Sequence, residues 1–239
     1  MSDKAKKRLN IALTVVFIIA LVLFMLTFSI GLPIYCRFFY YIQINTLNLP
    51  ERTGWSYAEI KQAYDNCLNF CTLPGVEFST YPLAWTESEA QHFADCKVLF
   101  NLNFWVLLSS GIITLALVLL NKFKVIAICK PLGRRAYFYS AIVAVALPIL
   151  IILLVLIVGF DNAFTAFHSL FFPGKTNWYF DPEVEEIILV MPEEFFMNCA
   201  IIIAVGLIAF SASLILSDVI LHKRDKKGQR KAQNNGGEG

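Results

Sequence analysis

The chain has 239 residues, 57% of them hydrophobic, and a formal net charge of only +2. A mean hydropathy of +0.62 points to an integral membrane protein rather than an ordinary soluble domain. The small net charge hides a strong segregation of basic from acidic residues, which sets the topology.

Lys4, Lys6, Lys7 and Arg8 precede a first uncharged run, Leu9 to Tyr35. Three more runs follow, Val98 to Asn121, Ala136 to Phe160 and Phe195 to Ser217. A helix needs ~20 apolar residues to cross a hydrocarbon core of ~30 Å, and all four runs are long enough. Lipid cannot satisfy open backbone groups, so the runs are expected to be helical. The first is too long for a signal-peptide core and no small-x-small cleavage site follows it, so it reads as a retained helix. The expected fold is an all-α integral membrane protein with four transmembrane helices at about 9–35, 98–121, 136–160 and 195–217. These form one domain over 1–217, with short amphipathic interfacial helices on the outer face.

The N-terminus, the 122–135 loop and the tail after Ser217 hold 15 of the 20 basic residues, whereas segments 36–97 and 161–194 hold 14 of the 18 acids. The positive-inside rule then puts both termini and the basic loop in the cytoplasm and the two acidic segments outside. Topology and contact with anionic lipid account for the basic stretches, and no nucleic-acid partner is expected. Residues 218–239, charged and then Gly/Asn-rich, read as a disordered basic cytoplasmic tail.

In the first outer segment, Ser56-Tyr57-Ala58-Glu59 is a capping box. It is followed by Ile60, Tyr64, Cys67, Leu68 and Cys71 at helical spacing, which predicts a short amphipathic helix from about Tyr57 to Phe70, ended by Leu73-Pro74-Gly75. A second capping box, Thr86 to Glu89, starts a helix expected to run without a break into the second membrane span. His92 lies on its third turn, with Glu89 and Asp95 three residues to either side on the same face. Asn103 lies ~16 Å further along at 1.5 Å per residue, a polar group at hydrocarbon depth that should face protein or a wet cavity.

In the second outer segment, Phe160, Phe164, Phe167 and Phe171 form a helical stripe with His168 beside it. Pro173-Gly174 has the centre of a type II turn. Asp181-Pro182 reads as an N-cap with Pro at the first helical position, and Glu183, Glu185 and Glu186 suit the first turns of a helix there. Met191-Pro192 then precedes the fourth span. The aromatic residues around these turns suit an interfacial belt.

Of three histidines, His222 lies in the basic tail. His92 and His168 remain as the two groups that titrate near neutrality on the outer side. They read either as an acid–base pair or as two interfacial rings like the Tyr and Trp around them. No G-x-S-x-G elbow and no H-E-x-x-H pair is present. The six cysteines follow no metal-ligand spacing, and Cys67 and Cys71 could bridge only with distorted helix geometry. No cofactor or metal is expected.

Three stretches carry a family resemblance. Glu89-x-x-His92-x-x-Asp95-Cys96-Lys97-Val98-Leu99-Phe100 resembles an E-x-x-H-x-x-D-V-K-x-L-F pattern. Ala166-Phe167-His168 through Phe172-Pro173-Gly174, Asn177-Trp178 and Asp181-Pro182 resembles F-H-x-x-F-F-P-G-x-x-N-W-x-F-D-P. Ile187 to Phe196 resembles an I-x-x-L-P-x-x-F-F ending. Together they are similar to the four-helix bacterial membrane proteins of the domain-of-unknown-function 1461 group, which includes the lipoprotein intramolecular transacylases of low-GC Gram-positive bacteria. The departures are Cys96 where Val is usual, Met191 where Leu is usual, and Cys67 and Cys71.

The resemblance implies an acyltransferase of the bacterial plasma membrane, working at the outer face on a diacylated lipoprotein. One ester-linked acyl chain of the diacylglyceryl group moves to the α-amino group of the same lipoprotein's N-terminal cysteine. The product is the lyso form, and neither donor nor cofactor is needed. His168 is then the acid–base residue and His92 its partner, orienting substrate or stabilising the oxyanion. Glu89 or Asp95 would fix the tautomer of His92, while Asn177, Trp178, Asp181 and Asn103 would orient the substrate. The competing readings are a non-catalytic protein that binds lipid or a partner through its aromatic, acidic roof, and a metal-dependent hydrolase.

Overall fold

The computed structural model describes residues 2–235, with side chains through 229. Nine α-helices are formed among these residues. They are α1 (Asp3–Tyr35), α2 (Phe38–Thr46), α3 (Leu49–Thr53), α4 (Tyr57–Thr72), α5 (Glu87–Lys122), α6 (Ala136–Val158), α7 (Phe160–Phe171), α8 (Ile187–Val190) and α9 (Glu193–Asn235), with a 3-10 turn at Pro131–Gly133. The described residues contain no strand.

α1, α5, α6 and α9 are long and apolar enough to span a bilayer. Their exposed surfaces are made of large aliphatic groups: Ile157 is 80% and Leu156 76% exposed on α6. Such a surface is unfavourable in water and neutral in lipid. The fold is therefore that of an all-α integral membrane protein crossing the membrane four times.

The chain divides into two compact units. One comprises Met1–Leu26, Val106–Ile149 and Val205–Gly239. Its core is Phe17, Leu21, Met25, Leu117, Ala136, Ala144 and Leu207. Asp218, fully buried on α9, accepts from Arg134 Nη1 at 2.8 Å and from the Arg135 backbone N–H at 3.2 Å. Asp225 pairs with Arg135 and Lys130. These bonds tie the basic loop to α9, and the helix continues to Asn235, through most of the tail whose composition suggests disorder. Lys, Arg, Gln and Ala are good helix formers, and extending an existing helix needs no new nucleus. Residues 236–239 of that tail lie outside the described residues.

The second unit comprises Thr27–Trp105 and Leu150–Ala204. Here α4 is capped as its sequence predicts, with the Ser56 hydroxyl accepting from Glu59 N–H and the Glu59 carboxylate accepting from Ser56 N–H at 2.8 Å. Its buried face is Ile60, Ala63, Tyr64, Cys67, Leu68 and Cys71, the helical spacing read from the sequence plus Ala63. This face packs with Tyr40 and Ile44 of α2, Leu49 of α3, Phe93 of α5 and Ile187 and Val190 of α8. Tyr40 stacks on Tyr64 at 3.7 Å and donates its hydroxyl to the Val190 carbonyl at 2.6 Å.

α5 begins at the second capping box and is unbroken to Lys122. Thr86 N–H donates to Glu89 Oε2, and Glu89 N–H donates to Thr86 Oγ1 at 3.2 Å. One expected element is replaced. Asp181 does not cap a helix; it closes a single turn, in which its carbonyl accepts from Glu185 N–H at 2.7 Å. The reason is tertiary. Glu185 Oε2 is drawn back onto the Asp181 N–H while Oε1 accepts from the Thr86 hydroxyl, and Glu186 accepts from Ala84 N–H at 2.8 Å. The acids that would line a helix start instead fasten this turn to the start of α5.

Candidate active site

α7 positions His168. Its stripe of Phe160, Phe164, Phe167 and Phe171 gives the amphipathic pattern of a helix, and His168 is 7% exposed. The ring is bonded within its own helix: Nδ1 lies 2.8 Å from the Phe164 carbonyl oxygen, four residues earlier. A carbonyl only accepts, so Nδ1 carries the proton and Nε2 keeps its lone pair. The Trp178 indole stacks on the same ring at 4.6 Å, and its N–H donates to the Lys175 carbonyl at 3.0 Å, which fixes the wall. Burial holds the His168 pKa below its ordinary value of 6.5, and the Phe164 bond opposes that shift. The imidazole is therefore neutral at neutral pH.

His92 comes from the start of α5, 6% exposed. The two histidines, 76 residues apart in sequence, have ring centroids 6.0 Å apart. Phe172 packs against both rings, at 5.1 Å from His92 and 5.8 Å from His168. Phe180 lies 5.4 Å from His92 and Phe164 4.1 Å from His168. Aromatic rings on several sides leave the imidazoles largely dry, which strengthens any hydrogen bond they form with substrate. Beside them is a cleft of about 230 Å³ lined by Val98, Leu99, Phe171, Phe172 and Pro173, with Asp95 and Lys175 as its charged pair. Lys175 Nζ donates to Asp95 Oδ1. The Pro173-Gly174 turn that delivers Lys175 has Gly174 at φ +76°, and Lys175 N–H donates to the Phe172 carbonyl at 3.2 Å, as a type II turn requires.

Four buried polar atoms in this unit have no hydrogen-bond partner: Glu89 Oε1, His92 Nδ1, Asp95 Oδ2 and Asn177 Oδ1. Buried polar atoms are normally satisfied, and two of these stand at the histidine pair, one on His92 itself and one on neighbouring Asp95. Among the described residues, no three His, Cys, Asp or Glu side chains are arranged to hold a metal ion.

Residues 15–196 match the sequence profile of the family described as lipoprotein intramolecular transacylase Lit. The chain belongs to the Lit family. Three structures of the membrane-integral lipoprotein intramolecular transacylase Lit from Bacillus cereus share its fold. One has a TM-score of 0.80 at 24% identity, covering 92% of this chain and 99% of that one. Two more, each with a single histidine replaced, give 0.74 and 0.75 at 23% identity, covering 96% and 95% of this chain and 97% and 98% of theirs. No curated protein matches. Membership of the Lit family makes the chain a membrane acyltransferase of the lipoprotein intramolecular transacylase type, rather than a non-catalytic roof for lipid or partner.

The predicted site residues of this Lit family member fall into two groups. His92, His168, Asp95 and Trp178 share one aromatic-walled region with Lys175, and Asn177 precedes Trp178 in the chain with its Oδ1 buried and unpartnered. The others do different work in the structure. Asn103 gives its amide to the Thr27 carbonyl at 3.2 Å, joining α5 to α1 a full ~16 Å along the helix from His92. Asp181 is exposed and closes its turn, its Oδ1 accepting from Glu183 N–H at 3.0 Å. Glu89 completes the α5 capping box, and Asp95 holds Lys175; the contact on the His92 ring nitrogen comes instead from Cys96 Sγ, 3.4 Å from Nε2. Lys175, Glu185 and Cys96 are participants that the sequence reading passed over. Only Cys96 had a local signal, standing at i+4 from His92.

Proposed function

We propose that this chain moves an ester-linked acyl chain of a diacylglyceryl-modified lipoprotein onto the α-amino group of that lipoprotein's own N-terminal cysteine, at the outer face of a bacterial plasma membrane, with both chain termini cytoplasmic. The observation that carries this reading is the juxtaposed pair of buried histidines, one of them with its tautomer set by Phe164 so that Nε2 is a free base.

The substrate amine has a pKa near ~8 and is mostly protonated at neutral pH. The fraction present as free amine attacks the ester carbonyl carbon. As the C–N bond forms, His168 Nε2 takes a proton from nitrogen, and the carbonyl oxygen becomes an oxyanion. His92 donates a hydrogen bond to that oxygen. When the tetrahedral carbon collapses, the C–O bond to glycerol breaks, and His168 returns its proton to the departing glycerol oxygen. The result is an amide and a free hydroxyl, with total mass unchanged. Nucleophile and ester belong to one molecule, so proximity is largely built into the substrate; no Ser or Cys nucleophile is required. Asp95 and Asn177, each with an unpartnered buried oxygen, accept from the substrate's amine and peptide N–H groups, and Trp178 keeps His168 in place. The acyl chains remain in lipid along the exposed aliphatic helix faces, while the acidic loops hold the head at the interface.

The test is expression in a bacterium whose lipoproteins are diacylated with a free amine, followed by tandem mass spectrometry of one lipoprotein's N-terminal peptide. The expected product is an N-acyl, S-monoacylglyceryl cysteine with the parent's mass, absent with His168→Gln. An unaltered diacylglyceryl peptide despite full membrane expression would overturn the proposal.

A further inference from the structure

The two histidines are held through different ring nitrogens, and each leaves a different nitrogen open. His168 is bonded at Nδ1 and open at Nε2. His92 has Nε2 3.4 Å from Cys96 Sγ, while its Nδ1 is buried and without a partner. Neither flanking carboxylate bonds to that ring: Glu89 Oε2 accepts from Thr86 N–H, and Asp95 Oδ1 accepts from Lys175 Nζ.

We infer that Cys96 is a positioning residue, whose thiol donates to His92 Nε2 and so places the ring proton on Nδ1, making that buried N–H the hydrogen-bond donor to the reacting carbonyl oxygen. The last clause rests on the acyl-transfer reading of the site; the tautomer itself does not. The chemistry of the contact supports the direction of donation. An imidazole nitrogen with a lone pair is a good acceptor, whereas a thiol sulfur is a weak one, so S–H donating to N is favoured over N–H donating to S. Cys96 and His92 are four residues apart on α5, one turn along the same face, and the rest of the helix holds that spacing.

The two rings are then complementary. His168 offers a lone pair at Nε2, and His92 offers a proton at Nδ1, each fixed before substrate arrives. An N–H with no partner in the resting site that gains one when negative charge develops on oxygen is stronger in the transition state than in the ground state, which is the requirement for acceleration. The pattern that this stretch resembles has Val at the position of Cys96, which offers no proton to His92 Nε2. The thiol is thus a feature of this chain.

Only three histidines are present, so the question is open to 15N NMR of the full-length chain labelled at histidine and held in detergent micelles or nanodiscs. His168→Gln and His222→Gln variants assign the signals. In the unsubstituted protein His92 is expected as the Nδ1–H tautomer with bare Nε2. In Cys96→Val, and independently in Cys96→Ala, it is expected to move toward the Nε2–H form that histidine favours in water. With a diacylated lipopeptide, Cys96→Val should lower kcat about tenfold with KM nearly unchanged, as for an interaction made only in the transition state. A His92 found as Nε2–H in the unsubstituted chain, or unmoved by both substitutions, would overturn the inference. Because the NMR readout needs no turnover, a failure of acyl transfer would leave the tautomer assignment standing or falling by itself.

Discussion

Among single residues, acyl transfer depends most on a neutral His168. Its pKa lies below 6.5 because burial penalises the imidazolium. The working form is the neutral one, so the base is fully available above that pKa and is lost as pH falls through it. The substrate amine must also lose a proton, with a pKa near ~8. Plotted as the logarithm of kcat/KM against pH, initial rates on a synthetic diacylated lipopeptide should rise with a slope of one between pH ~6.5 and ~8. Below the depressed His168 pKa the slope should steepen to two. A second break above pH ~7 would contradict a buried, neutral base. Replacing His168 with Gln keeps size and polarity but removes the base, and should lower kcat by ~10²–10⁴ without loss of folded protein. His92→Gln should cost ~10²–10³ if its role is donation to the oxyanion; equal activity would remove it from the mechanism.

At the scale of elements, the site depends on how α5 begins. The Thr86 hydroxyl accepts from Glu89 N–H and donates to Glu185 Oε1 at 3.2 Å. It therefore caps the helix that carries His92 and anchors the turn that precedes α8. Thr86→Ala should cost about 1 kcal/mol and lower the Tm by ~2–4 °C, with a fall in kcat/KM because both sides of the site lose a fastening. An unchanged Tm would show that the box contributes little. Both capping boxes, the Pro173-Gly174 turn and the α7 stripe were legible in the sequence, because each is decided by residues within one or two helical turns. The four long apolar helices were legible for the same reason, although α5 begins before and α9 continues beyond its apolar run. Asp181 misled because its helix-start pattern is local while Glu185, which determines the outcome, answers to Thr86, 99 residues away. Asn103 was recognised as a polar group needing a partner, but its partner, the Thr27 carbonyl, lies 76 residues away, where no periodicity can point. The two histidines were singled out by titration range and family resemblance; their closeness could not be read from spacing.

For the whole molecule, the proposed orientation rests on the charge segregation. With both termini cytoplasmic, as proposed, fusions of alkaline phosphatase after Gly75 or Gly174, in the acidic segments, should be active, whereas fusions after Lys124 or at the C-terminus should be inactive. The reverse pattern would put the histidines on the cytoplasmic side, away from translocated lipoproteins. The most direct trial of the central claim, acyl transfer within one lipoprotein molecule, is a crossover experiment with the purified full-length chain. Equal amounts of two diacylated lipopeptides are mixed, one with heavy isotopes in both its acyl chains and its peptide, the other light in both. Fragmentation of the N-acyl cysteine then shows which acyl chain sits on which peptide. Heavy acyl on heavy peptide and light on light are expected, with mixed products absent. A statistical share of mixed products would mean that acyl groups pass between molecules, and an intramolecular transfer at this histidine pair would be contradicted.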